Sequence, residues 1–283
     1  MLQYKHFFIF KHQLSLYMEN YNKLWRSFFA IGVIAIAVQQ LICADFRPVI
    51  MPPGYPAWLS HRLVWTWVFS VAMIVAGATI LFETKAKQAS LILGTILLLF
   101  VVLFQIPGKP YPKIIGAWTD AFKEFTFAGG AFIVAGTLTS ANSTSGFLEQ
   151  LEKLIPYGKY PLAITMVVFG SLHFIYVDFA AALVPNWIPG HLFWTYFAGV
   201  ALMLAGVAIL LNIKTQLAAA LLGLMIFLWF IMLHIPRAIA DPHTGNGNEW
   251  TSVFEALAFS GITFLIAGKP INSTAEVKSE TKE

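Results

Sequence analysis

Eight times along this chain an apolar stretch recurs that is long enough to cross a hydrocarbon core of about 30 Å, which takes roughly 20 helical residues. The stretches run approximately over 27–43, 61–82, 86–106, 118–138, 160–178, 190–211, 215–235 and 250–268. With 58% of its residues hydrophobic and 11% charged, against about 25% charged in soluble domains, the chain has too little polar surface to fold in water. The expected fold class is an all-α membrane protein of about eight transmembrane helices, with the lipid bilayer as its solvent.

The breaks between stretches are short and carry Pro, Gly, Asn or charge, as in Pro52-Pro53-Gly54, Glu83-Thr84-Lys85 and Asn212-Ile213-Lys214, residues that interrupt regular structure. We divide the chain into a cytoplasmic N-terminal segment 1–26, a first four-helix repeat 27–138, a cytoplasmic linker 139–159, a second four-helix repeat 160–268 and a disordered cytoplasmic tail 269–283. Met18 is a candidate true start, because MENYNKLWRSFF reads as an ordinary lead into a first helix.

A net charge of +4 here reflects topology and not a nucleic-acid partner, because basic residues collect on the cytoplasmic side of membrane proteins. With the amino terminus inside, the inner segments hold Lys5, Lys11, Lys23, Arg26, Lys85, Lys87, Lys153, Lys159, Lys214, Lys269, Lys278 and Lys282, and the outer loops only Arg47, Arg62, Lys109, Lys113 and Arg237. Both termini are therefore expected in the cytoplasm. The Asn-x-Ser/Thr triplets at 142–144 and 272–274 then lie inside and carry no glycan. The one cysteine, Cys43, rules out an internal disulfide and CxxC redox chemistry.

Sliding 56–107 over 185–236 at a constant shift of 129 gives 18 identities in 52 positions, among them Trp58/Trp187, Trp65/Trp194, Gly77/Gly206, Gly94/Gly223 and Pro107/Pro236. The flanks align too, Asp45-Phe46 with Asp178-Phe179 and 118–136 with 250–268. Four crossings return a chain to its starting side, so the two repeats are expected to run in parallel about a pseudo-two-fold axis near the membrane normal.

Ionisable groups inside apolar helices are costly and become functional candidates. The second repeat supplies His173, His191, His234 and Glu255, each within a turn or two of an expected outer helix end, where Asp178, Trp187, Trp194, Arg237, Asp241, His243 and Trp250 form a rim. At the aligned positions the first repeat has Gln40 for His173, Arg62 for His191, Gln105 for His234 and Lys123 for Glu255. Three readings stand. The polar groups bond to neighbouring helices or reach for headgroups. Alternatively they hold a quinone-type ligand, with His173 or His234 donating to a carbonyl and Glu255 relaying protons as the catalytic set, and His191, Trp187, Trp194, Asp178 and Arg237 as ligand-binding residues. Or His173, His234 and Glu255 bind a metal. In that setting a site is expected in the second repeat, off the symmetry axis. The paired Asp45 and Asp178 suit a structural task at a helix–loop junction, and the tryptophans an interfacial belt.

The stretches VPNWIPGHLFWTYFAGVALMLAGVAILL (184–211), LAAALLGLMIFLWFIMLHIP (217–236) and FEALAFSGITFLIAG (254–268) resemble the DoxX-like family of four-helix membrane proteins, over about 110 residues. The resemblance implies a doubled four-helix domain in a bacterial cytoplasmic membrane. The family takes its name from a subunit of a quinone-linked thiosulfate oxidation system, and His234 matches a position often polar in relatives. The chain has no dinucleotide fingerprint, no haem-attachment CxxCH and no iron–sulfur cysteines, so electrons would come from a redox partner protein or through a bound quinone. The competing expectation is a non-enzymatic assembly factor, lipid binder or small-molecule permease.

Overall fold

Without water inside a bilayer, each backbone N–H and C=O must be satisfied within the chain, and the helix does this locally. The computed structural model describes residues 2–54, 56–108, 115–138 and 146–268, with side chains from Tyr21 onward. All of its regular structure is helical: α1 (Leu2–Cys43), α2 (Arg62–Leu81), α3 (Ala86–Phe100), α4 (Thr119–Gly136), α5 (Phe147–Glu152), α6 (Lys159–Ile175), α7 (Val177–Leu183), α8 (His191–Leu210), α9 (Thr215–Trp229), α10 (Ile235–Ala240) and α11 (Thr244–Ala267). Seven helices among the described residues are long and apolar enough to cross a membrane, which fits a multi-pass membrane protein. The expected eighth, α4, is 18 residues long and carries Asp120, Lys123 and Glu124 near its start, too polar by composition to join them.

Several boundaries differ from expectation. The N-terminal segment is continuous with the first span as one helix from Leu2. The stretch 160–178 breaks at Tyr176, whose φ of −116° and ψ of 47° separate α6 from α7. The linker holds α5 and a short 3-10 turn at Ile155–Tyr157. The remaining linker residues 139–145, the tail 269–283 and both Asn-x-Ser/Thr triplets lie outside the described residues.

Backbone departures fall at matching places. Left-handed residues precede α2 at His61 and α8 at Gly190, and precede α3 at Glu83 and Lys85 and α9 at Asn212 and Lys214. Both α3 and α9 pass into a five-residue π turn, Val101–Gln105 and Phe230–His234. Each turn ends two residues before a proline, which has no N–H to give and crowds the preceding turn, so the helix widens there.

In packing order α1 touches α2, α2 touches α3, and so on through α4, α6, α8, α9 and α11 back to α1, while α4 and α11 also meet across the middle. These two are the central helices: 67% of the most apolar window of α11 is buried, against 22% for the span built on α9. Their cores join through Phe127 and Phe259, with ring centroids 5.1 Å apart, and through Gly130, which gives room to Ile262.

Small residues permit the close crossings, as expected in membranes where dispersion contacts replace the hydrophobic drive. A Cβ on Gly129 would collide with the Gly158 carbonyl oxygen, and one on Gly261 would sit 2.6 Å from that of Trp25. At the end away from Cys43, the Arg26 guanidinium is buried, donating to Glu83 at 2.7 Å and to the Thr137 carbonyl at 3.3 Å. Arg26, within α1, thus ties the chain just past α2 and just past α4 to α1 at one end of the bundle.

Candidate functional site

At the Cys43 end of the bundle, polar side chains enter the space between the central helices. Glu255 is 5% exposed on α11, and its Oε2 lies 3.0 Å from the Lys123 ammonium of α4. Lys123 also stands 3.6 Å from Asp120 Oδ1, one turn earlier on its own helix. The other carboxylate oxygen, Glu255 Oε1, has no hydrogen-bond partner among the described residues. Exposure grades inward, from 27% for the Asp120 side chain through 18% for Lys123 to 6% for Glu255.

One turn towards that end, Thr251 shares the Glu255 face of α11, as residues four apart do. Its hydroxyl donates to Gln39 Oε1 at 2.7 Å and accepts from Arg47 Nε at 3.0 Å. Arg47 is 2% exposed and also donates to the Asn246 carbonyl at 2.9 Å. That carbonyl is aimed at it by the sequence TGNGN. Gly245, Asn246 and Gly247 all have positive φ, a run tolerated because glycine lacks a Cβ and asparagine is among the few residues that visit the left-handed region. Gln39 Nε2 takes the Gly247 carbonyl at 2.6 Å. Beside this network Gln40 bonds to Ser70 and to the Arg47 amide, and Gln105 to the Pro48 carbonyl. Arg47 is close enough for its charge to act on Glu255.

A groove of about 570 Å³ runs between α1 and α11 on the far side of Gln39. Its wall is apolar at Ala35, Val38, Ile42, Trp250 and Phe254, and polar at Gln39, Cys43, His243 and Asn246. Trp250 and Phe254 stack with centroids 6.3 Å apart. Val38 and Ile42 are exposed, so in a bilayer the groove opens to lipid.

Of the residues singled out in the sequence, Glu255, His234 and Arg237 belong to this end's charge network. Arg237 holds Glu249 of α11 in a two-bond fork at 3.1 and 2.7 Å, and the charges of Lys123, Glu249 and Arg237 act on His234. His173 is half-buried, stacked on Trp229 at 6.3 Å, with Nδ1 2.8 Å from the Phe169 carbonyl. A carbonyl only accepts, so Nδ1 carries the hydrogen, and the neutral ring presents Nε2 as an acceptor. His191 opens α8 half-buried. Asp178 is exposed on α7, and Trp187 and Trp194 are exposed as well. These three line no shared pocket with Glu255 among the described residues. Asp45 bonds to Arg62 at 2.6 Å and caps the Phe46 amide at 2.8 Å, which is junction work. Among the described residues no three His, Cys, Asp or Glu side chains gather to hold a metal.

Sequence reasoning missed Lys123, Asp120, Arg47, Gln39 and Thr251. One signal was available. Lys123 and Glu255, at aligned positions 132 residues apart, have opposite charge, as expected where aligned positions face each other.

Residues 162–259 match a family described as Domain of unknown function (DUF8561). The match is under half of the chain. It includes Thr251, Glu255, His234 and Arg237 but leaves out Arg47, Asp120 and Lys123. No curated protein and no solved structure matches the chain.

Proposed function

We propose that this chain is a DoxX-like membrane protein of eight crossings, built as two parallel four-helix units over 27–138 and 160–268. It holds an amphipathic, quinone-type ligand at its outward end and serves as the membrane subunit for a redox partner protein. Both termini are cytoplasmic and the membrane is the bacterial inner one.

The unit arrangement draws support from recurring contacts. Gly77 meets the Ala30 carbonyl and Ile34, and Gly206 meets the Ala163 carbonyl and Val167; Gly94 meets Phe132 of α4, and Gly223 meets Phe264 of α11. The π turns and the left-handed caps repeat at the same shift of 129 that aligns the sequences. Three aligned pairs on the central helices, Lys123/Glu255, Phe127/Phe259 and Gly130/Ile262, each meet their own counterpart, as positions on a two-fold axis must.

The observation that carries the ligand reading is the groove with its change of wall along one side. A ligand with a polar ring and an isoprenoid tail matches that gradient, apolar walls for the tail and amides at the head. Gln39 then offers one amide to the groove and accepts from Thr251, which shares the Glu255 face of α11 and accepts from Arg47. A quinone in that place would supply two-electron, two-proton chemistry, with Gln39 and Asn246 orienting its head and Glu255 exchanging a proton. Mass spectrometry of gently purified protein tests this: a stoichiometric isoprenoid quinone is expected, reduced at least tenfold in Gln39→Leu/Trp250→Ala protein. Absence of quinone together with unchanged quinone-coupled turnover in His173→Ala/His234→Ala/Glu255→Gln protein sinks the reading.

A second reading, a non-enzymatic lipid binder or assembly factor, is favoured by the exposed Val38 and Ile42 at the groove's lip, which admit any lipid tail. Retained phospholipid in place of quinone, with another membrane protein at fixed stoichiometry, decides for it.

A further inference from the structure

Neither Lys123 nor Glu255 lines the groove, yet the pair is an enclosed ion pair between the central helices, with the Glu255 side chain 6% exposed. An ion pair withdrawn from water repays its desolvation only when its remaining lone pairs are satisfied. Here one carboxylate oxygen is without a donor among the described residues, and the ammonium has a second carboxylate, Asp120, within 3.6 Å. A purely structural pair has no use for either feature. Ionisable groups at such depth in membrane proteins commonly carry protons.

We propose that Asp120, Lys123 and Glu255 form a proton-exchange site on the axis between the central helices. A proton from water at the outward end bonds to Glu255 Oε1, and the Lys123 ammonium, released from the now neutral Glu255, moves to Asp120. One O–H bond forms on Glu255 and one O–H bond of the delivering hydronium breaks, leaving a water; Lys123 keeps its protons and the cluster gains one positive charge. Asp120 is the most exposed of the three and Glu255 the least, so the proton enters past Asp120. The site takes its sidedness from the orientation proposed above and its chemistry from the geometry alone.

Charged and titratable groups act on the pair directly or through His234 or follow it in sequence. They are Asp120 and Glu124 on α4, Glu249 on α11, Arg47 in the loop after α1, His234 on the turn after α9, and Arg237 on α10. Arg47 reads the change directly. Once Glu255 is neutral, its charge no longer acts on the guanidinium, which still holds Thr251, so the groove wall at Gln39 responds to protonation.

Infrared difference spectroscopy tests the site on full-length protein in lipid nanodiscs, with no quinone added. Lowering the pH is expected to bring up one protonated-carboxyl stretch, abolished in Glu255→Gln. The pH at which it appears moves by about one unit or more in Asp120→Asn and in Lys123→Met, in opposite senses. Absence of the band at every pH where the protein stays monodisperse overturns the proposal, as does a band that survives in Glu255→Gln. The Lys123→Met/Glu255→Gln double variant, with no buried charge left unpaired, guards against misfolding: it remains monodisperse and silent. Quinone-free protein that shows the band keeps the proton site and loses the quinone reading, and quinone-loaded protein without the band does the reverse.

Discussion

Arg47 illustrates what a buried cation needs in a membrane protein. Its guanidinium donates to the Thr251 hydroxyl and to the Asn246 and Gly245 carbonyls of the left-handed turn. Removing it takes those charge-assisted hydrogen bonds away, at about 1–3 kcal/mol each. Arg47→Met is therefore expected to lower stability by about 3 kcal/mol, read as an earlier thermal unfolding transition in detergent, and Arg47→Lys by less, since it keeps the charge and loses the fork. Little of this was legible beforehand. Glu255 stood out as a carboxylate in an apolar helix and Asp45 as a junction residue, and both lie where their chemistry called for partners. Arg47 read as one of a few outer-loop cations, because its partners are 199 and 204 residues away and are mostly backbone carbonyls, which have no residue signature.

At the scale of elements, hydropathy located the seven helices among the described residues that are long and apolar enough to cross a membrane, because burial in lipid demands the same apolar length from each. It could not locate the break at Tyr176, since apolar residues continue across it, nor predict that α4 would be interior, where its three charged residues are tolerable. The glycines are the sharper readout. Gly129 and Gly261 occupy aligned crossings, α4 on α6 and α11 on α1, each against a carbonyl oxygen. Alanine at either meets backbone and a stiff side-chain atom, the Pro161 ring or the Phe28 Cβ, with no flexible side-chain end to displace. Gly129→Ala and Gly261→Ala are each expected to cost roughly 1–3 kcal/mol, measurable as matched losses in the fraction of monodisperse protein after heating. Unequal losses would count against equivalent crossings.

For the whole molecule, neither half closes on itself. α1 packs on α11 and α4 on α6, so each half supplies the other's missing neighbour. Residues 1–145 and 146–283 expressed as two chains are expected to co-purify and to be degraded when expressed alone; a second half that survives by itself would mean independent bundles. The sequence likeness of the two halves lies in tryptophans, glycines and prolines, but the ring order was not legible, because hydropathy says nothing about which helix stands beside which. Nor could hydropathy pair Glu255 of the second half with Lys123 of the first, because the two meet only where α11 packs on α4.

Cys43 lines the groove and brings its sulfur within 3.5 Å of the Asn246 carbonyl, and it is the chain's sole thiol. The protein thus carries a built-in reporter that needs no engineered label. A thiol reagent unable to cross membranes should modify intact cells' protein if that end faces outward. The same reagent should slow when a ligand fills the groove, so one rate constant reads both sidedness and occupancy.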